Sequence, residues 1–380
     1  MESIKEININ DIWQNNVSLL IGSGASYGLF PTLETKMDGE SIETLGKYFD
    51  DENKQQLKSL LFMHYYVSCI EPVIVFDVDY EKCCVELLES EESQKKLDVI
   101  ENYKVLLNTL RVIASKNKSQ LKSNIFTTNY DSCFTSAYEE LLLEYSNLEF
   151  NLNDGTKGFR RKFLEVRNFD THEVKSSIFG KNSSITPQAN LIHLHGSAYW
   201  SLSNQHIAVD YQNKKSKFEE KFFYDVQTEL HAIEVILNNE VSTRISFDTI
   251  KFNDKFDDVE KKFWEIYNKL PIVNPTKWKF HETVFDEHYY QMLRLMSYEL
   301  EKQDSTLVVF GFSFADEHIT NLIKRSLGNK SLTMYICCFD AATVQAMECL
   351  FEDFNNVKLV TQPQLLDFKL FNTEVFKLLG

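Results

Sequence analysis

The sequence lacks the cysteine patterns that mark zinc modules and disulfide frameworks. It has seven cysteines, an odd number, and none of them forms a C-x-x-C pair. Ribbon-type zinc modules need such pairs, so we expect no structural zinc. The first residues, Met1 to Glu6, are charged and mixed, unlike a secretory leader. We therefore expect a cytoplasmic, reduced protein without disulfides.

Long apolar runs and an excess of basic residues are also missing. The most apolar stretch, residues 60–78, is interrupted by polar and charged side chains, which is typical of a buried helix rather than a membrane span. Forty Lys and Arg residues against 56 Asp and Glu residues give a net charge of −16. We expect neither membrane insertion nor direct nucleic-acid binding as the main activity. The basic run Lys214 to Lys217 is interpreted as a solvated loop.

Apolar runs of strand length alternate with helical periodicity along much of the chain. Because these runs are almost continuously apolar, they indicate strands that are covered on both faces of a parallel sheet. The pattern predicts an α/β fold with a doubly wound, Rossmann-like sheet. A short helix is expected within residues 1–16, and strands are expected over residues 17–21, 124–128, 190–195, 305–310 and 332–338.

Two long segments separate the predicted strands by more residues than a crossover connection requires. Residues 41–118 and 199–302 show mostly helical periodicity, whereas residues 146–188 are polar and show little pattern. We therefore predict a single domain with large helical insertions over about 41–118 and 199–302. Its core is expected to comprise residues 1–40, 119–198 and 303–380.

Four of the predicted strands end in clusters of small and polar residues. The clusters are Gly22-Ser-Gly-Ala-Ser26, Thr128-Asn-Tyr-Asp131, His195-Gly-Ser197 and Gly311-Phe-Ser313. Parallel strands present their carboxyl ends at one edge of a sheet, so these clusters predict one shared ligand site. A glycine turn followed by a helix N-terminus is suited to a diphosphate.

Each cluster taken alone has a simpler explanation. The glycine turn lacks the third glycine of the dehydrogenase fingerprint and is equally compatible with a plain tight turn. Asp131 is a candidate N-cap of the following helix. His193 and His195 are expected to share a strand face, but no cysteine or carboxylate nearby in sequence completes a metal site. Asp316 and His318 are interpreted as helix-start residues.

Together and in this order, the four clusters resemble the motifs of the sirtuin superfamily. Gly22-Ser-Gly-Ala-Ser26 is similar to its Gly-Ala-Gly-Ile-Ser opening, and Thr128-Asn-Tyr-Asp131 to its Gln-Asn-Ile-Asp. His195-Gly-Ser197 resembles its catalytic His-Gly-Ser, and Gly311-Phe-Ser313 its Gly-Thr-Ser. The resemblance implies NAD as a substrate. It places the contacts to NAD at Gly22, Ser23, Gly24, Ala25, Ser26, Pro31, Thr128, Asn129, Asp131, His195, Gly311, Phe312, Ser313 and Asp340.

The chain also departs from the protein deacetylases of that superfamily. It has no four-cysteine zinc module, and Pro31 is followed by Thr-Leu-Glu where those enzymes have Asp-Phe-Arg. The sequence is more similar to the bacterial anti-phage branch, whose sirtuin-like domains hydrolyse NAD. Its short length, with no second recognisable effector domain, resembles the partner of a HerA-type ATPase.

The resemblance implies roles for three residues in cleavage of the nicotinamide–ribose bond. His195 is the candidate general base, because an imidazole titrates near neutral pH. Asn129 is expected to hold the attacking water or the ribose, and Asp131 either orients the nicotinamide carboxamide or caps a helix. The expected function is therefore an NAD+ glycohydrolase that depletes NAD in anti-phage defence and is gated by a partner or a phage trigger.

Two other functions fit the same motifs. One is an NAD-dependent protein deacylase or ADP-ribosyltransferase, against which the missing zinc module argues. The other is a non-catalytic scaffold that binds NAD or ADP-ribose, against which the presence of both Asn129 and His195 argues. The long insertions are the natural place for contacts between subunits, so a homo-oligomer is also expected.

Overall fold

The computed structural model describes residues 2–33, 35–116, 121–176, 183–273 and 284–378. Its strands, numbered along the chain, are β1 (Glu2–Ile4), β2 (Asn16–Ile21), β3 (Lys122–Thr127), β4 (Asn151–Asn153), β5 (Thr156–Lys157), β6 (Lys162–Leu164), β7 (Val174–Ser176), β8 (Ser183–Ile185), β9 (Gln188–His193), β10 (Trp200–Ser203), β11 (His206–Val209), β12 (Ser305–Phe310), β13 (Thr333–Cys337) and β14 (Val357–Val360).

The helices are numbered in the same way. They are α1 (Ile9–Ile12), α2 (Ile42–Asp51), α3 (Gln55–Tyr65), α4 (Glu71–Val75), α5 (Val78–Leu88), α6 (Glu91–Lys116), α7 (Cys133–Glu144), α8 (Gln227–Leu237), α9 (Phe256–Tyr267), α10 (Val284–Leu300), α11 (Glu317–Ser326), α12 (Ala341–Leu350) and α13 (Phe368–Leu370). A π-helical turn, Tyr66–Ile70, joins α3 to α4.

The centre of the fold is an eight-stranded sheet in the order β1-β14-β13-β12-β2-β3-β9-β4. Every neighbouring pair in this sheet is parallel. All residues of β9 and β12 are buried, as expected for strands that are covered on both faces. The predicted α/β fold with a doubly wound, Rossmann-like sheet and helical insertions is therefore confirmed.

The order of the strands places a topological switch point between β2 and β12. From β2 the chain builds outward through β3 to β9 on one side, and it later returns to build β12, β13 and β14 on the other. Ligands of open α/β sheets bind beyond the carboxyl ends of the strands at such a point. The glycine turn after β2 and the Gly311 loop after β12 lie at this point.

Alternation along the strands gives the sheet two apolar faces. Leu19 and Ile21 of β2 belong to one buried cluster, and Leu20 belongs to the other. The first face is covered by helices that include α2, α3, α6, α7 and α9. The second face is covered by α10, α11 and α12, and by a small antiparallel sheet in the order β10-β11-β6-β5.

Several predicted elements differ from those observed. Residues 146–188 contain strands β4 to β8, and residues 199–302 contain β10 and β11 as well as helices. These strands are two to four residues long, so they are too short to produce a clear period of two in the sequence. The predicted strand over 190–195 ends at His193, and β1 precedes the short N-terminal helix α1.

The helical character predicted for residues 41–118 is confirmed over the described residues up to Lys116, but one of these helices belongs with the sheet. Helix α6 packs against β3, β9 and α7, so it serves as a covering helix between β2 and β3. The basic run at 214–217 lies in a loop, as predicted, but two of its lysines are partly buried. Lys214 Nζ donates to the carbonyl of Phe76 at 2.6 Å, and burial lowers the pKa of Lys217.

Within the residues that the structure describes, no individual helix is both long enough and apolar enough to cross a membrane. The segments Gln55–Val75 and Val78–Leu88 reach that length and composition only as a pair, and the chain bends by 82° between them.

Candidate functional site

The two glycine-containing loops at the switch point touch each other. A Cβ atom on Gly22 would lie 2.4 Å from the carbonyl oxygen of Gly311, and one on Gly24 would lie 2.7 Å from its Cα atom. The amide of Gly24 donates to the carbonyl of Gly311 at 3.0 Å. The close approach of the two loops therefore explains why glycine is needed at these positions.

The glycine turn does not lead into a long helix. Residues Ser23–Ser26 form one short 3-10 turn, and the next helix, α2, begins at Ile42. Gly28, with φ +90°, and Pro31 redirect the chain between them. The prediction that a helix N-terminus supplies amide groups directly after this turn is therefore wrong.

Pro31 lies at the edge of a cavity. It helps to line a cavity of about 660 Å³ whose walls also include Thr32, His64, Leu230 and Glu234. This cavity lies between the Pro31 loop and helices α3 and α8. A second cavity, of about 470 Å³, lies beside β6 and is lined by residues of β5, β6 and the segment that follows β6.

A closed polar cluster lies beneath the glycine turn. The hydroxyl of Ser26 donates to Asp131 Oδ2 at 2.7 Å, accepts from Asn129 Nδ2 at 3.1 Å and is 2.8 Å from the hydroxyl of Tyr103. A serine hydroxyl has one hydrogen to donate and two acceptor positions, so these three partners saturate it. Ser26 is only 3% exposed. In this structure Ser26 therefore has a structural role, Ala25 beside it is also buried, and the diphosphate contact of Ser26 stays a prediction.

Asp131 is held as a helix-start residue. Its Oδ1 accepts from the backbone amide of Cys133 at 3.0 Å, while Oδ2 takes the Ser26 hydroxyl. The N-cap of α7 is Ser132, so Asp131 closes the turn just before the helix rather than capping it, and its role at the nicotinamide stays a prediction. Thr128 is half-buried directly after β3, and its amide donates to the carbonyl of Ile21 at 3.3 Å.

Asn129 links this cluster to a buried histidine. Its side chain donates to Ser26, and its carbonyl oxygen lies 3.0 Å from His193 Nδ1. The His193 ring packs edge-on against Trp200, which in turn contacts the ring of His288. Burial lowers the pKa of His193, against the opposing effect of the Asn129 carbonyl. His193 is thus a core residue.

His195 occupies a different environment from His193. Since β9 ends at His193, the expected shared strand face does not exist, and His195 lies in the turn that follows. Its Nε2 is 2.9 Å from Asp316 Oδ2, and the two side chains are 18% and 21% exposed. A histidine that is paired with a carboxylate and open to solvent is the most reactive arrangement among the predicted site residues.

Asp316 performs two tasks with its two oxygens. Oδ1 accepts from the amide of Ile319 and caps α11, and Oδ2 faces His195. Burial alone would raise the pKa of Asp316, but the hydrogen bond and charge of His195, and the Ile319 amide, lower it overall. The sequence indicated the cap but not the pairing, because the two residues are far apart in the chain.

The turn that carries His195 is fixed by its neighbours. Gly196 has φ +81°, and a Cβ atom there would lie 2.0 Å from the carbonyl oxygen of Pro271. The carbonyl of His195 accepts from the amide of Val273 at 2.9 Å, and the Ser197 hydroxyl donates to the carbonyl of Tyr130 at 3.1 Å. These contacts hold the histidine against the loop that follows β3.

The remaining predicted contacts lie at the rim of this region. Ser23 and Ser313 are exposed, and Phe312 is half-buried against Phe314. Asp340, after β13, caps α12 by accepting from the Thr343 amide at 2.8 Å. That hydrogen bond, with the one from the Thr343 hydroxyl, lowers the pKa of Asp340.

Two contributors to the site were not predicted as such. Tyr103 comes from α6, inside the segment predicted to be an insertion, and Asp316 was assigned only to a helix start. A search over the described part of the chain finds no group of three or more His, Cys, Asp or Glu side chains placed to hold a metal ion.

No protein-family model matches this chain, and no curated protein matches it.

Proposed function

We propose that this protein is an NAD+ hydrolase that cleaves the bond between nicotinamide and ribose. The observation that carries the proposal is the His195–Asp316 pair, which is partly open to solvent beside the switch point of the sheet. A crevice at a switch point is where doubly wound folds bind nucleotides. The order of the four motifs supplies the rest of the argument.

The pairing suggests which nitrogen of His195 acts as the base. Nε2 faces the Asp316 carboxylate, so in the neutral ring this nitrogen carries the proton and donates it. Nδ1 is then the basic nitrogen. A carboxylate in this position fixes the tautomer and stabilises the imidazolium that forms when the ring accepts a proton.

The reaction needs only water as co-substrate. His195 Nδ1 accepts a proton from water while the water oxygen forms a bond to the anomeric carbon. The bond from that carbon to the pyridinium nitrogen breaks, and its electron pair leaves with nicotinamide, which departs as a neutral molecule. The products are nicotinamide, ADP-ribose and one proton.

The other predicted residues fall into two groups under this proposal. Ser26, Asn129 and Asp131 form a buried framework that fixes the loop after β3. Ser23 and the segment Gly311-Phe-Ser313 lie at the rim and are the candidates to contact the diphosphate and ribose. The setting in anti-phage defence, cytoplasmic location, gating and a HerA-type ATPase partner rest on the motif resemblance alone and belong to the same proposal.

The test is nicotinamide release from NAD+ by the purified full-length protein, alone and with lysate from phage-infected cells. We expect His195→Ala to reduce the rate by about 1,000-fold, within the range for loss of a general base. His231→Ala is the matched control, because His231 is an exposed histidine on α8. Its rate should equal that of the wild type.

Equal rates for wild type and His195→Ala would overturn the catalytic assignment. Tight NAD+ binding without hydrolysis in any condition would identify a sensing scaffold instead. Asn129→Ala is a poorer test than the sequence suggested, because the Asn129 amide donates to the buried Ser26 hydroxyl and its loss destabilises the fold.

A further inference from the structure

Two exposed apolar features of this chain carry rims of opposite charge. One is the tip of the β5–β6 hairpin, residues 157–162, which we name the basic hairpin. The other is the outer side of α5, which we name the acidic stripe and which consists of Tyr80, Cys83, Cys84 and Leu87 with a rim of Asp79, Glu86 and Glu89.

The basic hairpin is an ordered β-hairpin with a tight turn. Lys157 pairs with Phe163 across the two strands, and Gly158 makes the turn with φ +128°. A Cβ atom at Gly158 would lie 2.0 Å from the carbonyl oxygen of Arg161, so the turn depends on glycine. Phe159 at the tip is fully exposed, at 102%. The cations around it are Lys157, Arg160, Arg161 and Lys162, all of them exposed.

The acidic stripe has the spacing of a helix face that packs against another structure. Its four members are at positions i, i+3, i+4 and i+7, so they lie along one side of α5. The buried residues of α5, Val78 and Glu81, lie on the other side of the helix. Tyr80 is 67% exposed and Leu87 is 79% exposed.

The rim of the stripe is negatively charged. Asp79, Glu86 and Glu89 are exposed, and the start of α6 adds the exposed Glu91 and Glu92. Two nearby lysines are engaged by carboxylates, since Lys82 pairs with Glu140, and Lys96 pairs with both Glu81 and Glu92. Lys95 is the exposed cation nearest in sequence.

The bases of the two features pack into different apolar clusters. Leu164, at the base of the hairpin, belongs to the apolar cluster on the second face of the sheet, and Val78 of α5 belongs to the cluster on the first face. Between two molecules the two features are complementary. The basic hairpin offers the exposed Phe159 ring surrounded by four cations, and the acidic stripe offers apolar side chains with a negatively charged rim.

We propose that copies of this chain associate head to tail, with the basic hairpin of one copy on the acidic stripe of the next. Phe159 packs between Tyr80 and Leu87, and Arg160 and Arg161 face Glu86 and Glu89. Such a contact joins two different surfaces, so it produces a ring if the rotation closes and a fibre if it does not. It is independent of the proposed hydrolysis, since its test needs no enzymatic activity.

The test is a charge swap followed by molar mass from light scattering on the full-length protein. One variant carries Glu86→Lys and Glu89→Lys, which suit the helix C-terminus where they lie. The other carries Arg160→Glu and Arg161→Glu. Each variant alone should lose association by at least about tenfold, because like charges then face each other. A variant with all four changes should regain it.

Two further measurements sharpen the test. Labelling of Cys83 by a maleimide should slow as wild-type protein is concentrated, whereas labelling of the exposed Cys349 should not. Salt should weaken association, because exposed charges are screened within about 8 Å at physiological ionic strength. The control variant, Glu219→Lys with Glu220→Lys, reverses an exposed acidic pair elsewhere and should associate like the wild type.

Three results would overturn the proposal. The wild type could remain a monomer at all concentrations that can be reached, or the four-change variant could stay as dissociated as either parent. A monomer that binds a single-stranded oligonucleotide, with loss of binding in Arg160→Glu, Arg161→Glu, would assign the hairpin to nucleic acid instead.

Discussion

The candidate site has two halves, which differ in how far the hydrogen-bonding positions of their polar groups are occupied. In the closed cluster, the Ser26 hydroxyl has all three of its hydrogen-bonding positions occupied by Tyr103, Asn129 and Asp131. On the histidine side, the Nε2 atoms of His193 and His288 are buried with no hydrogen-bond partner among the described residues. His195 is the exception there, because it is partly exposed and faces Asp316.

The difference separates groups that hold the fold from groups that exchange protons. A saturated cluster of hydroxyl, amide and carboxylate groups has no proton to exchange with a substrate, so its contribution is rigidity. Burial favours the neutral form of the two buried imidazoles, and a partly exposed imidazole paired with a carboxylate can accept and release a proton. Substitutions on the histidine side should therefore alter the pH dependence of stability and the rate of nicotinamide release. Substitutions in the closed cluster should alter the free energy of unfolding.

Lowering the pH should destabilise the folded protein through the histidine side. Burial lowers the pKa of His288 from 6.5 to about 4, so the unfolded chain binds this proton more readily than the folded protein. Stability is therefore lost as the pH falls from about 6.5 towards 4. At about 1.4 kcal/mol per pH unit, the loss in the free energy of unfolding is about 3 kcal/mol. Urea denaturation at pH 7, 5.5 and 4 measures it.

The variant His288→Gln removes this titration and should flatten the pH dependence by the same amount. His231→Gln is the matched control. Because His231 is exposed, its replacement should leave the pH dependence of the free energy of unfolding as in the wild type. The Asp316 carboxyl affects stability in a different pH range. Its pKa is lowered in the folded protein, so the carboxylate stabilises the fold above the ordinary pKa of 3.8, and this stabilisation is lost only below that pH. An unchanged slope in His288→Gln would contradict the explanation.

Asp316→Asn should break the pairing on the histidine side while sparing the fold. Asparagine caps a helix about as well as aspartate, so α11 should keep its start. The amide cannot stabilise an imidazolium as a carboxylate does, and we expect kcat for nicotinamide release to fall about 100-fold with KM unchanged. Asp367→Asn, which changes the corresponding cap of α13, is the control and should keep the wild-type rate. A wild-type kcat in Asp316→Asn would leave Asp316 as a cap only.

The architecture could be predicted from the sequence because the long strands of the central sheet contain local apolar runs. The run Ser305–Phe310 is entirely buried in β12, and its apolar character alone indicated a strand within the sheet. The positions of the four motifs at strand ends were predictable for the same reason. Strands of two to four residues, such as β5 and β11, left no such pattern.

Pairings across the chain were not predictable. His195 and Asp316 lie on different elements, and nothing local indicates that the capping aspartate has its second oxygen on the histidine. Tyr103 reaches Ser26 from the middle of a long helix whose apolar periodicity showed only that it was buried. The Gly22–Gly311 contact likewise shows that glycines which suggested a ligand are required by the packing of two loops.

Ser26→Ala should weaken the closed cluster without touching the histidine side. The change leaves buried Asp131 Oδ2 without its donor, which costs about 2 kcal/mol in the free energy of unfolding. Ser23→Ala, in the same turn but exposed, should change stability by less than about 0.5 kcal/mol. Urea denaturation at pH 7 compares the two. Equal stabilities would show that the cluster is not a framework.

Tyr103→Phe is the mildest change to the closed cluster and the sharpest test of its connectivity. It removes only the hydroxyl that lies 2.8 Å from Ser26 Oγ, and the ring keeps its contacts with Phe134 and Phe368. We expect a loss of about 1 kcal/mol in the free energy of unfolding.

The double variant with Ser26→Ala decides whether the hydroxyl acts through the cluster. If it does, the two losses overlap and the double variant is more stable than their sum predicts. Tyr138→Phe removes a hydroxyl that donates to the Phe150 carbonyl instead, so its loss should add fully to that of Ser26→Ala. Full additivity for Tyr103→Phe as well would mean that α6 supports the sheet by packing alone. Overlap would make Tyr103 the link by which a helix of the long segment between β2 and β3 fixes the loop beside the histidine side.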